Sequence, residues 1–160
     1  MKRGSTHFLR AVVFLMGVVA LLLAFRILPA IYSGWTEEYP DGAHLQYPLL
    51  ISLAATTIPF FIALHQTLKL LGYIDKNKAF SELSVRALKH IKYCAITFSA
   101  LYAISSPIFY YLAQTEDAPG VMMIGLVMTF APMVIAVFAA VLQKLLQSAI
   151  DIKSENDLTV

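Results

Sequence analysis

The chain has 160 residues, of which 59% are hydrophobic and 14% charged, and a mean hydropathy of +0.71; an ordinary soluble domain is nearer half apolar and a quarter charged. That composition belongs to a membrane protein, and a net charge of +2 without any Lys/Arg run argues against direct nucleic-acid binding. The one cysteine, Cys94, cannot close a disulfide within the chain and reads as a small hydrophobe in an apolar segment.

A helix needs about 20 mostly apolar residues to cross the hydrocarbon core. Segments 8–31, 47–71, 91–113 and 121–146 meet that length. The first follows Lys2 and Arg3 in the manner of a secretory signal, but it is too long and lacks a small-x-small cleavage pattern at Leu28-Pro29-Ala30, so it reads as an uncleaved span. Arg26 is the one charged side chain well inside a span. At about 1.5 Å per residue it lies roughly 10 Å past the span's midpoint, within snorkelling reach of the headgroups and of Glu37, Glu38, Glu116 or Asp117. This placement favours an anchor over a substrate ligand.

In the second span Pro59 follows Thr56 and Thr57, and His65 and Gln66 near its far end suit a polar crevice. A single histidine is no zinc site, because zinc needs three or four converging ligands, and His7, His44 and His90 are scattered along the chain. The loop 72–90 follows. Gly72 is the expected helix stop and Ser81 the expected N-cap of a new helix, with Glu82 favoured by the dipole in its first turn. Phe80 and Val85 take the positions of a hydrophobic staple. Phe80, Leu83, Ala87, Leu88 and Ile91 share one face, with Arg86, Lys89 and Lys92 off it, which predicts a basic amphipathic helix leading into the third span. Such a helix can lie on anionic lipid, dock a protein partner, or simply orient the chain.

The third and fourth spans repeat the proline theme, with Pro107 after Ser105 and Ser106, and Pro132 after Thr129. Each proline removes a backbone donor, and the nearby hydroxyls are expected to satisfy the released carbonyls. Ala20 and Ala24, Ala95, Ser99 and Ala103, and Ala136 and Ala140 are spaced for close helix approach, chiefly within a bundle; a homo-oligomer stays open. Pro59-x-x-Ile62-Ala63 and Pro132-x-x-Ile135-Ala136 suggest a faint repeat of two hairpins. The tail 147–160 is polar and acidic. Leu158 and Val160 suit capture in extended form by a cytoplasmic partner, although solvated tails of this kind are commoner.

The basic residues set the orientation. Lys2, Arg3 and Arg10, then Lys69, Lys76, Lys78, Arg86, Lys89 and Lys92, then Lys144 and Lys153 all fall on one side, whereas the connections bearing Glu37, Glu38, Asp41, Glu116 and Asp117 contain no Lys or Arg. Short basic loops stay in the cytoplasm, which places both termini and the loop 72–90 there. Tyr32, Trp35, Tyr39, Tyr47, Tyr110 and Tyr111 mark the opposite interface. The chain carries no H-E-x-x-H, C-x-x-C, G-x-S-x-G or glycine-rich phosphate loop, so the reading is non-enzymatic and without a cofactor.

The opening MKRGSTHFLRAVVFL, the loop KAFSELSVRALKHIKYC and the ending IKSENDLTV resemble the YoaS-like family of bacterial four-span membrane proteins, and the resemblance covers essentially the whole chain. It implies a four-helix inner-membrane protein with no assigned activity. It also implies a partner among the small Cro-like helix-turn-helix regulators whose genes often neighbour those of similar proteins. The resulting expectation is an all-α, four-helix transmembrane bundle of two hairpins, formed by residues 1–160 as a single domain, with a cytoplasmic amphipathic helix between spans 2 and 3. Its expected role is regulatory or interactive. Phe80, Arg86, Lys89, Lys92, Leu158 and Val160 form the candidate surface for lipid or protein, and Arg26 and His65 are the candidate intramembrane polar groups. The alternative is an oligomeric small transporter or channel subunit, with Pro59, Pro107, Pro132 and Arg26 shaping a moving pathway.

Overall fold

The computed structural model describes residues 3–159. The elements in chain order are α1 (Arg3–Glu38), a 3-10 helix (Pro40–Leu45), α2 (Gln46–Asp75), α3 (Glu82–Ile104), α4 (Ser106–Thr115) and α5 (Pro119–Thr159). By length and hydropathy α1, α2 and α5 can each cross a membrane, and α3 with α4 makes a fourth candidate span bent by 45°.

Helix ends lie beyond the hydropathy boundaries because apolarity marks the part covered by lipid, whereas a helix continues until something stops it. Gly34 alone does not stop α1 between Ile31 and Pro40, so it runs on through Thr36-Glu37-Glu38. The tail has no Gly or Pro, and α5 carries its helix to Thr159 where a solvated tail was the commoner expectation.

The stop of α2 is a second correction. Gly72 sits inside the helix, and the chain turns at Asn77, whose φ of 59° is left-handed. The Lys78 N–H donates back to the Tyr73 carbonyl at 2.7 Å, closing a Schellman motif, and Asn tolerates this conformation better than most residues. The turn into α5 uses the same device, with Asp117 at φ 50° and Ala118 N–H donating to the Ala113 carbonyl at 3.0 Å. Ser81 does cap α3 with extended backbone, but its hydroxyl donates to the Lys78 carbonyl at 2.5 Å and not to the helix N–H groups.

The extensive packing runs in series: α1 along α2, α2 along α3, and α3 and α4 along α5. In lipid a helix has no need to bury its apolar sides, so close packing depends on small residues and hydrogen bonds. The α3–α5 contact follows that rule, with Ala87, Ala95 and Ser99 on one helix and Ala136 and Ala139 on the other all buried, while Gly125 of α5 lets Phe109 of α4 approach closely. Ser99 Oγ donates across it to the Thr129 carbonyl at 2.5 Å. The buried face of the N-terminal part of α3 is set by Ser84, Val85, Ala87 and Leu88, while Leu83, expected on that face, is exposed. One continuous helix carries both the expected amphipathic segment and the beginning of the third span, with no break near Ile91.

Between α3 and α4 the break falls where Pro107 cannot donate to the Ala103 carbonyl. The Ser106 hydroxyl donates to that carbonyl instead. Ser105 Oγ bonds the Leu101 carbonyl at 2.8 Å and lies 2.8 Å from Ser52 Oγ on α2, tying the bend to its neighbour. The other prolines behave differently. Thr56 and Thr57 donate to the Leu53 carbonyl, and Thr129 to that of Gly125, so those hydroxyls do not reach the carbonyls released by Pro59 and Pro132. A file of rings runs from Phe60 through Phe98 (6.3 Å) and Tyr102 (4.9 Å) to Phe109 (5.9 Å), filling the space among α2, α3 and α4.

Candidate functional site

The two ends of the molecule offer different surfaces. At the end bearing the acidic connections, Trp35 Nε1 donates to the Gly42 carbonyl at 2.8 Å, and Gln46 Nε2 donates to the Tyr32 carbonyl at 2.8 Å. Tyr39 donates its hydroxyl to Glu116 Oε1 at 2.6 Å, joining the end of α1 to the end of α4. That bond to a carboxylate, together with burial, pushes the Tyr39 phenol up to about 12. Tyr111 lies against Gly42 so closely that a Cβ there would stand 2.5 Å from its hydroxyl. Trp35, Leu49 and Ile108 form the buried apolar centre beneath.

Arg26 points into a groove below this cap. It makes no ion pair with any described residue: Glu116 is engaged by Tyr39, and neither Glu37 nor Glu38 reaches it. The expected pairing fails because α1 is longer than its apolar run, which leaves about 18 Å of helix between Arg26 and Glu38.

At the basic end, Arg10 Nη2 pairs with Asp75 Oδ2 at 2.8 Å, clasping α1 to α2, while Asp75 Oδ1 is buried without a hydrogen-bond partner. Glu82 Oε1 accepts from Gln147 Nε2 at 3.1 Å, fastening the start of α3 to α5. Beside that contact Leu70 of α2, Phe80 and Leu88, and Leu142, Leu145 and Leu146 of α5 line an open apolar groove of about 280 Å³. Leucines from three separate helices converge because the Schellman turn at Asn77 brings α3 back alongside α2 while α5 packs along α3.

Among the sequence-predicted site residues, Phe80 stands at this groove with 63% of its surface exposed. Arg86 and Lys89 are exposed on α3, and Lys69 and Lys144 are exposed on the flanking helices. Lys92 is half-buried, its ammonium 4.7 Å from the Tyr93 ring centre. Leu158 is 83% exposed at the end of α5, away from the groove, and Val160 and Lys2 lie outside the described residues. His65 is exposed on α2 and is not drawn into either groove. The leucines of the groove were not singled out as a group from sequence; their signal was the recurrence of a Leu-Leu pair after Lys69 and again after Lys144.

Long apolar helices whose polar backbone groups are satisfied internally, with aromatic rings and hydroxyl-to-carbonyl bonds between them, define a helical integral membrane protein. The chain belongs to the family described as Protein of unknown function (DUF2975), which matches residues 30–160. It is 58% identical over 160 residues, the full length of both chains, to the Uncharacterized membrane protein YoaS of Bacillus subtilis (strain 168). No solved structure matches it.

Proposed function

We propose that the protein is a non-enzymatic interaction protein of the bacterial cytoplasmic membrane, and that its leucine-lined groove docks a cytoplasmic protein partner. The observation that carries this reading is the groove itself: three helices build an apolar cleft and leave it open, and the same helices carry the exposed Lys69, Arg86, Lys89 and Lys144 within two residues of its lining positions. The positive-inside rule assigns the basic end to the cytoplasm. Counting α3 with α4 as one crossing makes four, which returns the C-terminus to the side of the N-terminus.

A partner suited to this cleft is an amphipathic helix with apolar anchors at helical spacing and acidic residues on its flanks. A helix-turn-helix regulator, the class to which the family resemblance points, is the first candidate. The transport alternative calls for a polar route between helices, whereas Ser52, Thr56, Ser99, Ser105 and Thr129 turn their hydroxyls to helix carbonyls and to one another. That use of the interior hydroxyls supports an interaction role.

The test is a photoreactive benzoyl-phenylalanine in place of Phe80 in the full-length, N-terminally tagged protein, irradiated in native membranes. The expected product is an adduct with one cytoplasmic protein, lost when Arg86, Lys89 and Lys92 are replaced together by Gln. Adducts with lipid alone, or with a second copy of the chain alone, at normal expression would overturn the proposal.

A further inference from the structure

Arg26, Ala30, Gly34 and Glu38 recur at every fourth position of α1, so neighbouring members of the series are adjacent and the four trace a slanting ridge along the helix. All four border one groove of about 360 Å³ at the acidic end. Ala30 and Gly34 leave its middle empty, and a Cβ placed on Gly34 would meet no heavy atom within 4 Å. The groove is therefore a slot with a cation at its floor, an anion at its mouth and space between.

The two charges are too far apart to neutralise each other, and neither has an ion-pair partner among the described residues. Trp35, an interfacial residue type, lies about 13 Å further along the helix axis than Arg26. That depth sets the base of the Arg26 side chain within hydrocarbon, so its guanidinium must reach toward the headgroups, and a charge there without a counter-ion is costly. Relief requires an anion delivered by something that can itself reside there. The apolar walls beside Arg26, formed by Ile27 and Ile31, favour hydrocarbon over water. Glu38 at the mouth calls for a positive group nearer the aqueous side.

A phospholipid with an ethanolamine headgroup carries these features in the required order, from chain to phosphate to ammonium. We propose that this slot is a binding site for a phosphatidylethanolamine molecule of the leaflet at the acidic end. Its phosphate meets Arg26 extended along Ala30, its ammonium meets Glu38, and its first methylenes lie against Ile27 and Ile31. The site is at the opposite end from the groove at Phe80, and it stands whichever occupant that groove takes.

The experiment is native mass spectrometry of the full-length protein, reconstituted with equal phosphatidylethanolamine and phosphatidylglycerol and then stripped with detergent. The wild type should retain one phosphatidylethanolamine in preference to phosphatidylglycerol. Arg26→Gln should lower that retention by about tenfold or more, the scale of a lost charge-assisted hydrogen bond. Gly34→Leu keeps the charge and fills the slot, and should cause the same loss with helix content unchanged. Glu38→Gln should abolish the preference between headgroups. A wild type that retains neither lipid, or Arg26→Gln and Gly34→Leu proteins that retain as much as wild type, would overturn the site. A Glu38→Gln protein that keeps the preference would overturn the ammonium contact.

Discussion

The two ends of this molecule are held by different physics. At the acidic end, α1, the 3-10 helix, α2 and α4 are cross-tied by short hydrogen bonds from Trp35, Gln46 and Tyr39 around a buried aromatic centre. At the basic end, an ion pair, Arg10–Asp75, joins α1 to α2, and the apolar surface around Phe80 is left uncovered. Several directional bonds around a buried centre fix a geometry, whereas a partly exposed charge pair weakens as salt rises. The cap is thus a fastened structure, and the opposite end is one where surface remains for contact.

The sharpest way to break this contrast is Gly42→Ala. Its Cβ would stand 2.5 Å from the Tyr111 hydroxyl and 2.6 Å from the ring carbons, so Tyr111 must move. Overpacking of that kind costs about 1–3 kcal/mol, read as a lower melting temperature in detergent, and Tyr111→Ala in the same chain should relieve part of it. Next in size is Trp35→Phe, which keeps an aromatic ring but a smaller one and leaves the Gly42 carbonyl without its indole donor. A loss of about 1–2 kcal/mol is expected from equilibrium unfolding.

Arg10→Gln probes the other end. With Arg10 33% and Asp75 17% exposed, the pair should contribute no more than about 1 kcal/mol, and the difference from wild type should shrink in high salt. An effect as large as that of Trp35→Phe would erase the contrast between the ends. The smallest effect at ordinary pH concerns Tyr39, whose phenol titrates near 12 because it donates to Glu116. Its folded value lies above the ordinary value of about 10, so the contribution is fully present below pH 10 and is lost as pH rises through about 12. Tyrosinate absorbance should show one late-titrating group that is missing in Tyr39→Phe, and stability near neutral pH should not depend on pH through this residue.

Much of the architecture was legible because hydropathy over some twenty residues is a strong signal. The apolar core of each helix, the interfacial aromatic residues and the bend at Pro107 were all readable from residue types. Helix ends were not, because the polar stretch Thr36-Glu37-Glu38 and the tail after Leu146 look like loops by composition yet contain nothing that breaks a helix. Gly72 drew attention as a stop since glycine is the commonest left-handed cap, but Asn77 takes that conformation. The face of α3 was misread at Leu83 because periodicity locates an apolar stripe without revealing which neighbour arrives. At the start of α3 that neighbour is α5, whose Gln147 meets Glu82 and whose Leu142, Leu145 and Leu146 lie with Leu88 around one groove. The grooves were illegible for the same reason: each joins residues far apart in sequence, and only the order of helix packing brings Leu70 beside Leu142, or Arg26 beside Leu112.

The helical tail sets a length scale for any partner. From Leu146 at the groove to Leu158 near the end of α5 the chain rises as continuous helix for about 18 Å. Those two positions form a ruler with fixed marks. A peptide engaging both must itself extend for between three and four turns of helix or about six residues of strand, so truncating a binder below that length would leave it able to read one mark and not the other.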